Sequence, residues 1–398
     1  MPRPPLWLLT FPLLAGYLLC RIRALQRWLP DVLKYQLPWS WNRRMMKTFV
    51  GSFGRRVYID TWTTLEVPPS PVRKAEVEPA HRLSDDELGR FWERGWTGPF
   101  TLRSPEEMKA REAHFWEVFR AESRTYPRDS YRYVGDTRAS TDDSEASNEE
   151  YARKGLAGRD KHLEDREVLE CYTHPAVVER IAQLIGPDVL LWRTQFFPKG
   201  PGSGGTGWHQ ATTYLNETMR VATLSPFDLT QLFQVTAWFA LTDVTVETAC
   251  LRFLEGSHRE LRPISVTEFD PVKHRDNKSD RFGTKVLQPE PPVPDAAATD
   301  IVMKAGQFIL FSERTLHGSH PNSTPDRARL GMSGRYVRPD TRIHNPWVLG
   351  RGGLNISYLQ IKGLQLDRWH ALLIRGTDWS GVNGARVKPY HHPLARGS

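Results

Sequence analysis

Cysteine is scarce in this chain. Three residues, Cys20, Cys171 and Cys250, are spread over 398 positions. Their odd number and wide spacing exclude a readable zinc motif or disulfide framework and fit a reducing compartment. Long apolar runs are lacking too. Leu6–Cys20 is fifteen mostly apolar residues without a charge, short of the roughly 18–20 that comfortably span a bilayer. Pro12 and Gly16 interrupt it, and no small-residue cleavage site follows, which argues against a cleaved signal peptide. Acidic residues are nearly missing from the first 60 positions, where Asp31 and Asp60 face ten Lys/Arg. That imbalance equals the whole net charge of +8. The pI of about 9.4 therefore describes the arm and is no argument for nucleic-acid binding by the remainder. Internal repeats, a Walker loop and a dinucleotide-binding glycine pattern are also absent.

The arm has a distinct chemistry of its own. Arg21, Arg23 and Arg27 follow the apolar run, and then Trp28, Tyr35, Trp39 and Trp41 are interleaved with Arg43 and Arg44. Trp and Tyr favour the membrane interface, and Lys/Arg favour anionic headgroups. Residues 1–60 read as a membrane-associating arm that spans or lies on a membrane, or else as a buried apolar helix of an N-terminal extension. The first reading puts the main domain on the cytoplasmic side of a membrane; otherwise it is cytoplasmic. Residues 61–82, with Pro68, Pro69, Pro71 and Pro79, read as a linker. Residues 83–398 form the main domain.

Within that domain Leu83–Arg124 is helical in pattern, with Ser84 as N-cap before Asp85, Asp86 and Glu87. Gly135–Asn148 is an acidic loop. Pro175–Ile185 is a short amphipathic helix closed by Gly186-Pro187. The texture then changes to short β-branched and aromatic segments: Val189–Phe197, Trp208–Tyr214, Leu232–Leu241, Cys250–Leu254, Ile301–Met303, Gln307–Phe311 and Leu330–Val337. The expected class is mainly β with flanking helices, as a sandwich or small barrel. Asn216–Asp228 and His258–Thr299 read as long structureless insertions of the kind that form lids. The tail Arg338–Ser398 covers either the barrel or the substrate pocket.

Two histidine segments carry the chemistry. A non-heme iron(II) site commonly uses two histidines and one carboxylate on one face, leaving the opposite positions open. In a strand, residues i and i+2 share a face, so His209 and Ala211 point one way and Gln210 the other. A carboxylate two residues after His209 would let one strand supply two ligands. The residue there is Ala211. His317, placed at the end of the Phe308–Phe311 strand after a turn and followed by Gly318 and Ser319, is the far partner, with His320 as its rival. Arg329, Gly331, Ser333 and Arg335 alternate onto one face, and Arg329 can clamp a dicarboxylate through its planar fork. Arg327 and Arg335 are its local rivals.

Several segments together carry a family likeness: Gly186-Pro187-Asp188-Val189, Gln195-Phe196-Phe197-Pro198-Lys199, Trp208-His209-Gln210 with Thr213-Tyr214, Val235-Thr236-Ala237-Trp238, Leu254-Glu255-Gly256-Ser257-His258, and His317-Gly318-Ser319 with Pro321-Asn322. From about residue 161 to 337 the chain resembles the phytanoyl-CoA dioxygenase family of iron(II)/2-oxoglutarate enzymes. The resemblance implies a double-stranded β-helix of jelly-roll or cupin-like form. It implies His209 and His317 as iron(II) ligands, with Arg329 and Ser319 on the far carboxylate of 2-oxoglutarate and Gln195 and Trp238 lining its pocket. The departure is Ala211, where the family has aspartate. In this the chain is similar to the non-heme iron halogenases of the superfamily, which carry alanine or glycine there. That likeness implies chloride at the vacated position, O2 as oxidant, and chlorination of an aliphatic C–H by hydrogen abstraction and halide rebound. The apolar neighbours Ala211, Phe196 and Phe311 suit a poorly hydrated halide pocket. The alternatives are a hydroxylase of the same family, replacement of the missing acid by Glu217, or a non-catalytic binding protein on this fold. The arm points to a hydrophobic or lipid-like small-molecule substrate and no nucleic acid.

Overall fold

The computed structural model describes residues 11, 14–18, 46–47, 50–51, 65, 74–127, 132–133, 156–210, 223–226, 230–262, 264–268, 281–282, 285–289, 293, 297–343, 361–362 and 366–390. Most of the arm, the Gly135–Asn148 loop, Ala211 and Glu217 lie outside them. Among the described residues no helix is long and apolar enough to cross a membrane.

Helices α1 (Asp85–Arg94), α2 (Pro105–Arg120), α3 (Arg166–Thr173) and α4 (Pro175–Ile185) flank the sheets. Each start is fixed locally. Ser84 and Glu87 form a reciprocal capping box on α1, and Ser104 and Glu107 form another on α2. Pro105 and Pro175 sit in the first turns of α2 and α4, where no N–H is needed.

The strands are β1 (Trp96–Thr101), β2 (Arg132–Tyr133), β3 (Val189–Lys199), β4 (Thr206–His209), β5 (Leu224–Ser225) and β6 (Gln234–Ala240). Then come β7 (Leu251–Phe253), β8 (Ile264–Glu268), β9 (Arg281–Phe282), β10 (Lys285–Pro289), β11 (Thr299–Ile301) and β12 (Gln307–Ser312). Last are β13 (His317–Ser319), β14 (Arg329–Val337), β15 (Arg342–Ile343), β16 (Ile361–Lys362), β17 (Ala371–Arg375) and β18 (Val387–Pro389). A seven-stranded sheet runs β1-β12-β6-β14-β3-β17-β18, and a four-stranded sheet runs β11-β7-β13-β4. Together they form the jelly-roll core that the family resemblance implies, within the mainly β class that the strand texture predicts.

The large sheet is buried on both faces. In β6, Val235, Ala237 and Phe239 join the helix-side core with Phe91, Phe115 and Ile181, while Trp238 and Ala240 join the core between the sheets. β12 repeats the pattern, with Phe308 and Leu310 toward the helices and Ile309 and Phe311 inward. Strands buried on both faces read as near-continuous apolar runs, and β6 is buried at every residue.

Three expectations need correction. Leu83–Arg124 is not all helical. Gly95 closes α1 in the left-handed conformation at φ +90, and Trp96–Thr101 leaves as β1 to pair with β12 at the edge of the large sheet. Trp, Thr and Phe favour strands, and the pairing overrides the helical pattern around them. The insertion from His258 to Thr299 is not structureless, because β8, β10 and β9 form a three-stranded sheet within it. His317 does not trail the strand of Phe308 but opens β13, in the other sheet. The tail extends the large sheet: β17 pairs with β3, and β18 pairs with β17.

Candidate iron and 2-oxoglutarate site

His209 and His317 are direct cross-strand partners between β4 and β13. Their ring centroids lie 4.1 Å apart. Each Nδ1 lies close to a nearby backbone carbonyl: 2.8 Å from Gly207 O for His209 and 2.7 Å from Thr315 O for His317. A neutral ring that donates from Nδ1 carries its lone pair on Nε2, the tautomer a metal takes. Burial, with the neighbouring His209 second, holds His317 well below the ordinary histidine range. Phe311 packs edge-on to His317 at 4.9 Å and Phe253 at 6.1 Å, so the ring sits in an apolar wall.

Gln210, on the opposite side of the strand, anchors the pair. Its side-chain NH2 donates to Glu260 O at 2.8 Å and to Arg314 O, and its carbonyl accepts from Arg262 N at 2.7 Å. The segment that leads to His317 is thereby tied to the strand that carries His209. Ser257 Oγ accepts from Leu316 N at 2.8 Å and fixes the same segment from the other side.

The second half of the site lies on β14. Arg329, Gly331 and Ser333 alternate with Leu330 and Met332, which belong to the helix-side core. Ser333 is paired with Gln195 on one side and Trp238 on the other, so the expected lining residues meet at one register position. The Arg329 guanidinium lies 5.2 Å from the Trp238 ring centroid. Burial pushes Arg329 down to about 10 and, with the like charge of Arg329 second, Lys199 down to about 8. Lys199 is the cross-strand partner of Arg329 and donates to Gly204 O at 2.5 Å.

Among the described residues Arg329 Nε and Nη1, Ser319 Oγ and Ser333 Oγ are buried without hydrogen-bond partners. Buried polar atoms without partners are costly, and a buried arginine without a carboxylate is costlier still. Donors of this kind fit an anionic oxygen-rich ligand such as 2-oxoglutarate. The histidine pair fits a divalent transition metal. Among the described residues no carboxylate or thiol joins the two histidines within 4.8 Å.

The rivals fall away on geometry. His320 Nε2 is 2.7 Å from Asp300 Oδ1. Arg327 is exposed and offers only its backbone carbonyl to Asn322 and Thr324. Arg335 is ion-paired with buried Glu313 at 3.6 Å. Phe196 does not belong to the site wall, because it packs into the helix-side core against Phe119. One residue on, Phe197 packs against the cluster that holds Trp238 and Phe311.

Two residues escaped the sequence reading. Glu313 also accepts a hydrogen bond from Thr236; its only signal was a carboxylate at the end of an apolar strand four residues before His317. Trp96 packs on Phe253 at 5.9 Å and was masked by the helical reading of its neighbours.

A family model described as phytanoyl-CoA dioxygenase matches residues 92–330. The peroxisomal phytanoyl-CoA dioxygenase of Homo sapiens is 26% identical over 162 residues, 40% of this chain and 43% of that protein. Dioxygenase lolE1 of Epichloe uncinata is 25% identical over 178 residues, 42% of this chain and 57% of that protein. The chain thus spans about half the length of the curated relatives it matches. A solved structure of CytC3 with Fe(II) and alpha-ketoglutarate superposes with a TM-score of 0.53 at 24% identity, over 77% of this chain and 93% of that one. That likeness shows the fold.

Proposed function

Because this chain belongs to the phytanoyl-CoA dioxygenase family, we propose that it is an iron(II)/2-oxoglutarate-dependent oxygenase that halogenates an unactivated aliphatic carbon. The observation that carries the oxygenase reading is the pairing of His209 with His317 beside a buried Arg329 that lacks an anion. His209 and His317 would hold iron(II) through Nε2, with the Gly207 and Thr315 carbonyls fixing the rings. The chemistry supplied by the bound metal and co-substrate is oxidation of a C–H bond by O2, with succinate and CO2 as coproducts. Arg329 would take the far carboxylate in its fork, and Ser319 and Ser333 would donate their hydroxyls. Trp238 restrains the guanidinium, while Phe311 and Phe253 keep water from His317.

Halogenation rests on the sequence at position 211. Alanine has no ligand atom and no charge, so a chloride fits both the space and the charge that an aspartate would have filled. We infer a hydrophobic or lipid-like small molecule as substrate, because the arm joins apolar, aromatic and basic residues.

Full-length protein supplied with iron(II), 2-oxoglutarate and O2 should form succinate. Absence of both succinate and iron binding would sink the oxygenase reading. With substrate in chloride buffer the product should show the chlorine isotope doublet by mass spectrometry. An oxygen-only product at saturating chloride would leave a hydroxylase. Ala211→Asp should shift the outcome toward hydroxylation or inactivity, and full chlorination by that variant would refute the role given to position 211.

A further inference from the structure

A second group of ligating side chains lies outside this site. Cys250 stands just before β7, Asp300 is the middle residue of β11, and His320 follows β13. These three strands are neighbours in the order β11-β7-β13. Leu251 pairs with Ser319, and the His320 N–H donates to the Cys250 carbonyl at 3.1 Å. The sheet register therefore sets all three residues side by side. Their ligand atoms all lie within 4.8 Å of one another. His320 is one residue beyond Ser319, so by strand alternation it leaves the face that carries His317 and Ser319.

We propose that Cys250, Asp300 and His320 form a second cation site that takes zinc(II), separate from the His209–His317 pair. A thiolate, an imidazole and a carboxylate are the donor types zinc uses, and three protein ligands leave the fourth tetrahedral position for water. The thiolate favours zinc over iron(II), both by softness and by position in the divalent series. Tetrahedral zinc needs bonds of about 2.0–2.3 Å, so the three atoms close in only modestly from their present spread. Two ligands come from the rim: Asp300 is 39% exposed and His320 22%. Cys250 closes the site from the buried side. Burial, with the Asp300 charge second, pushes the Cys250 thiol up to about 12. A thiol proton is thus in place until a metal displaces it to solvent, and no electron moves in that exchange.

Two positive charges oppose the site, since Arg329 and Arg252 both act on the Cys250 thiol. Arg252 Nε is 3.7 Å from Asp300 Oδ1. The same guanidinium lies 5.3 Å from the Trp208 ring centroid, so it keeps a partner when the carboxylate turns to a metal.

Cobalt(II) is the probe, because a thiolate ligand gives it an intense near-ultraviolet charge-transfer band. The full-length double variant His209→Ala/His317→Ala should bind one equivalent and show that band. Added zinc should bleach it. Cys250→Ser in the same background should lose the band. The rim substitutions His320→Gln and Asp300→Asn should each weaken cobalt binding at least tenfold while leaving the circular dichroism spectrum unchanged. No thiolate band in the folded double variant would overturn the proposal. So would a band that survives Cys250→Ser, or rim variants that bind as tightly as their parent. Because the double variant lacks the iron ligands, failure here is distinguishable from failure of the oxygenase reading.

Discussion

Gly331→Ala tests the pocket through its shape. A Cβ at Gly331 would lie 2.2 Å from Trp238 Cζ2 and 2.5 Å from Cη2. The indole is rigid and only 3% exposed, so it must turn or β14 must shift. Overpacking of this kind costs about 1–3 kcal/mol of stability. The displacement also reaches the guanidinium that faces the ring at 5.2 Å. A hydrogen bond to a charged group contributes about 1.5–3 kcal/mol, so losing one should weaken 2-oxoglutarate binding roughly ten- to a hundredfold. Gly334→Ala is the matched control. Its Cβ would meet Tyr172 Cδ1 at 2.6 Å and Tyr336 Oη at 2.9 Å, on the helix side of the same strand. Both variants should unfold at lower urea, but only Gly331→Ala should raise the Kd of 2-oxoglutarate, measured by calorimetry on iron(II)-loaded protein without O2. If the two variants shift that Kd equally, or Gly331→Ala loses stability without weakening binding, the placement of the co-substrate is wrong.

Three other outcomes follow from single features. Arg329→Met should leave the unliganded protein as stable or more stable, because replacing a buried charge by an apolar chain is often neutral or gains about 1–4 kcal/mol; the rise in Tm on adding 2-oxoglutarate should vanish. Gln210→Ala removes three hydrogen bonds and should cost about 2–4 kcal/mol in urea unfolding, with iron(II) affinity lower by roughly 10–100-fold, as for outer-sphere changes generally. Burial holds His162 and His258 down to about 4, so the unfolded chain binds protons that the folded one does not as pH falls from 6.5 toward 4. Stability should therefore drop as pH falls, by ~2 kcal/mol per histidine at pH 5; an unfolding free energy that is flat between pH 7 and 5 would refute it.

Much of the fold was legible because the strands are short, apolar and separated by turn residues. β3, β6, β12 and β14 lie where the β-branched and aromatic content sets them. The candidate site residues His209, His317, Ser319 and Arg329 were named through the family resemblance, and the pairing of β4 with β13 sets the two histidines opposite one another. What was not legible depends on long-range pairing. β1 has six residues between two well-capped helices, and only β12 makes it a strand. Phe196 and Phe197 are equivalent in composition, and their faces are decided by the pairing of β3 with β14. The buried Glu313–Arg335 pair joins β14 to the residue just after β12, and those two strands meet only through β6. Cys250, Asp300 and His320 are far apart in sequence, and only the sheet order brings them side by side.

β14 also explains why the site and the fold are hard to separate. Its odd-numbered residues Arg329, Gly331, Ser333 and Arg335 face inward, while Leu330, Met332 and Tyr336 belong to the helix-side core. A one-residue slip would exchange these sets, placing guanidinium groups among Phe91, Phe115 and Ile181. The apolar half of the strand therefore fixes the register that the polar half needs. The inward half carries its own cost, since Arg329 Nε, Nη1 and Ser333 Oγ are buried without partners. A fold that bears such a cost gains more than an ordinary surface contact when an anionic ligand supplies the missing acceptors. Binding to the folded chain alone stabilises it by mass action. The residues that look least favourable in the unliganded chain should then account for most of the stabilisation by 2-oxoglutarate.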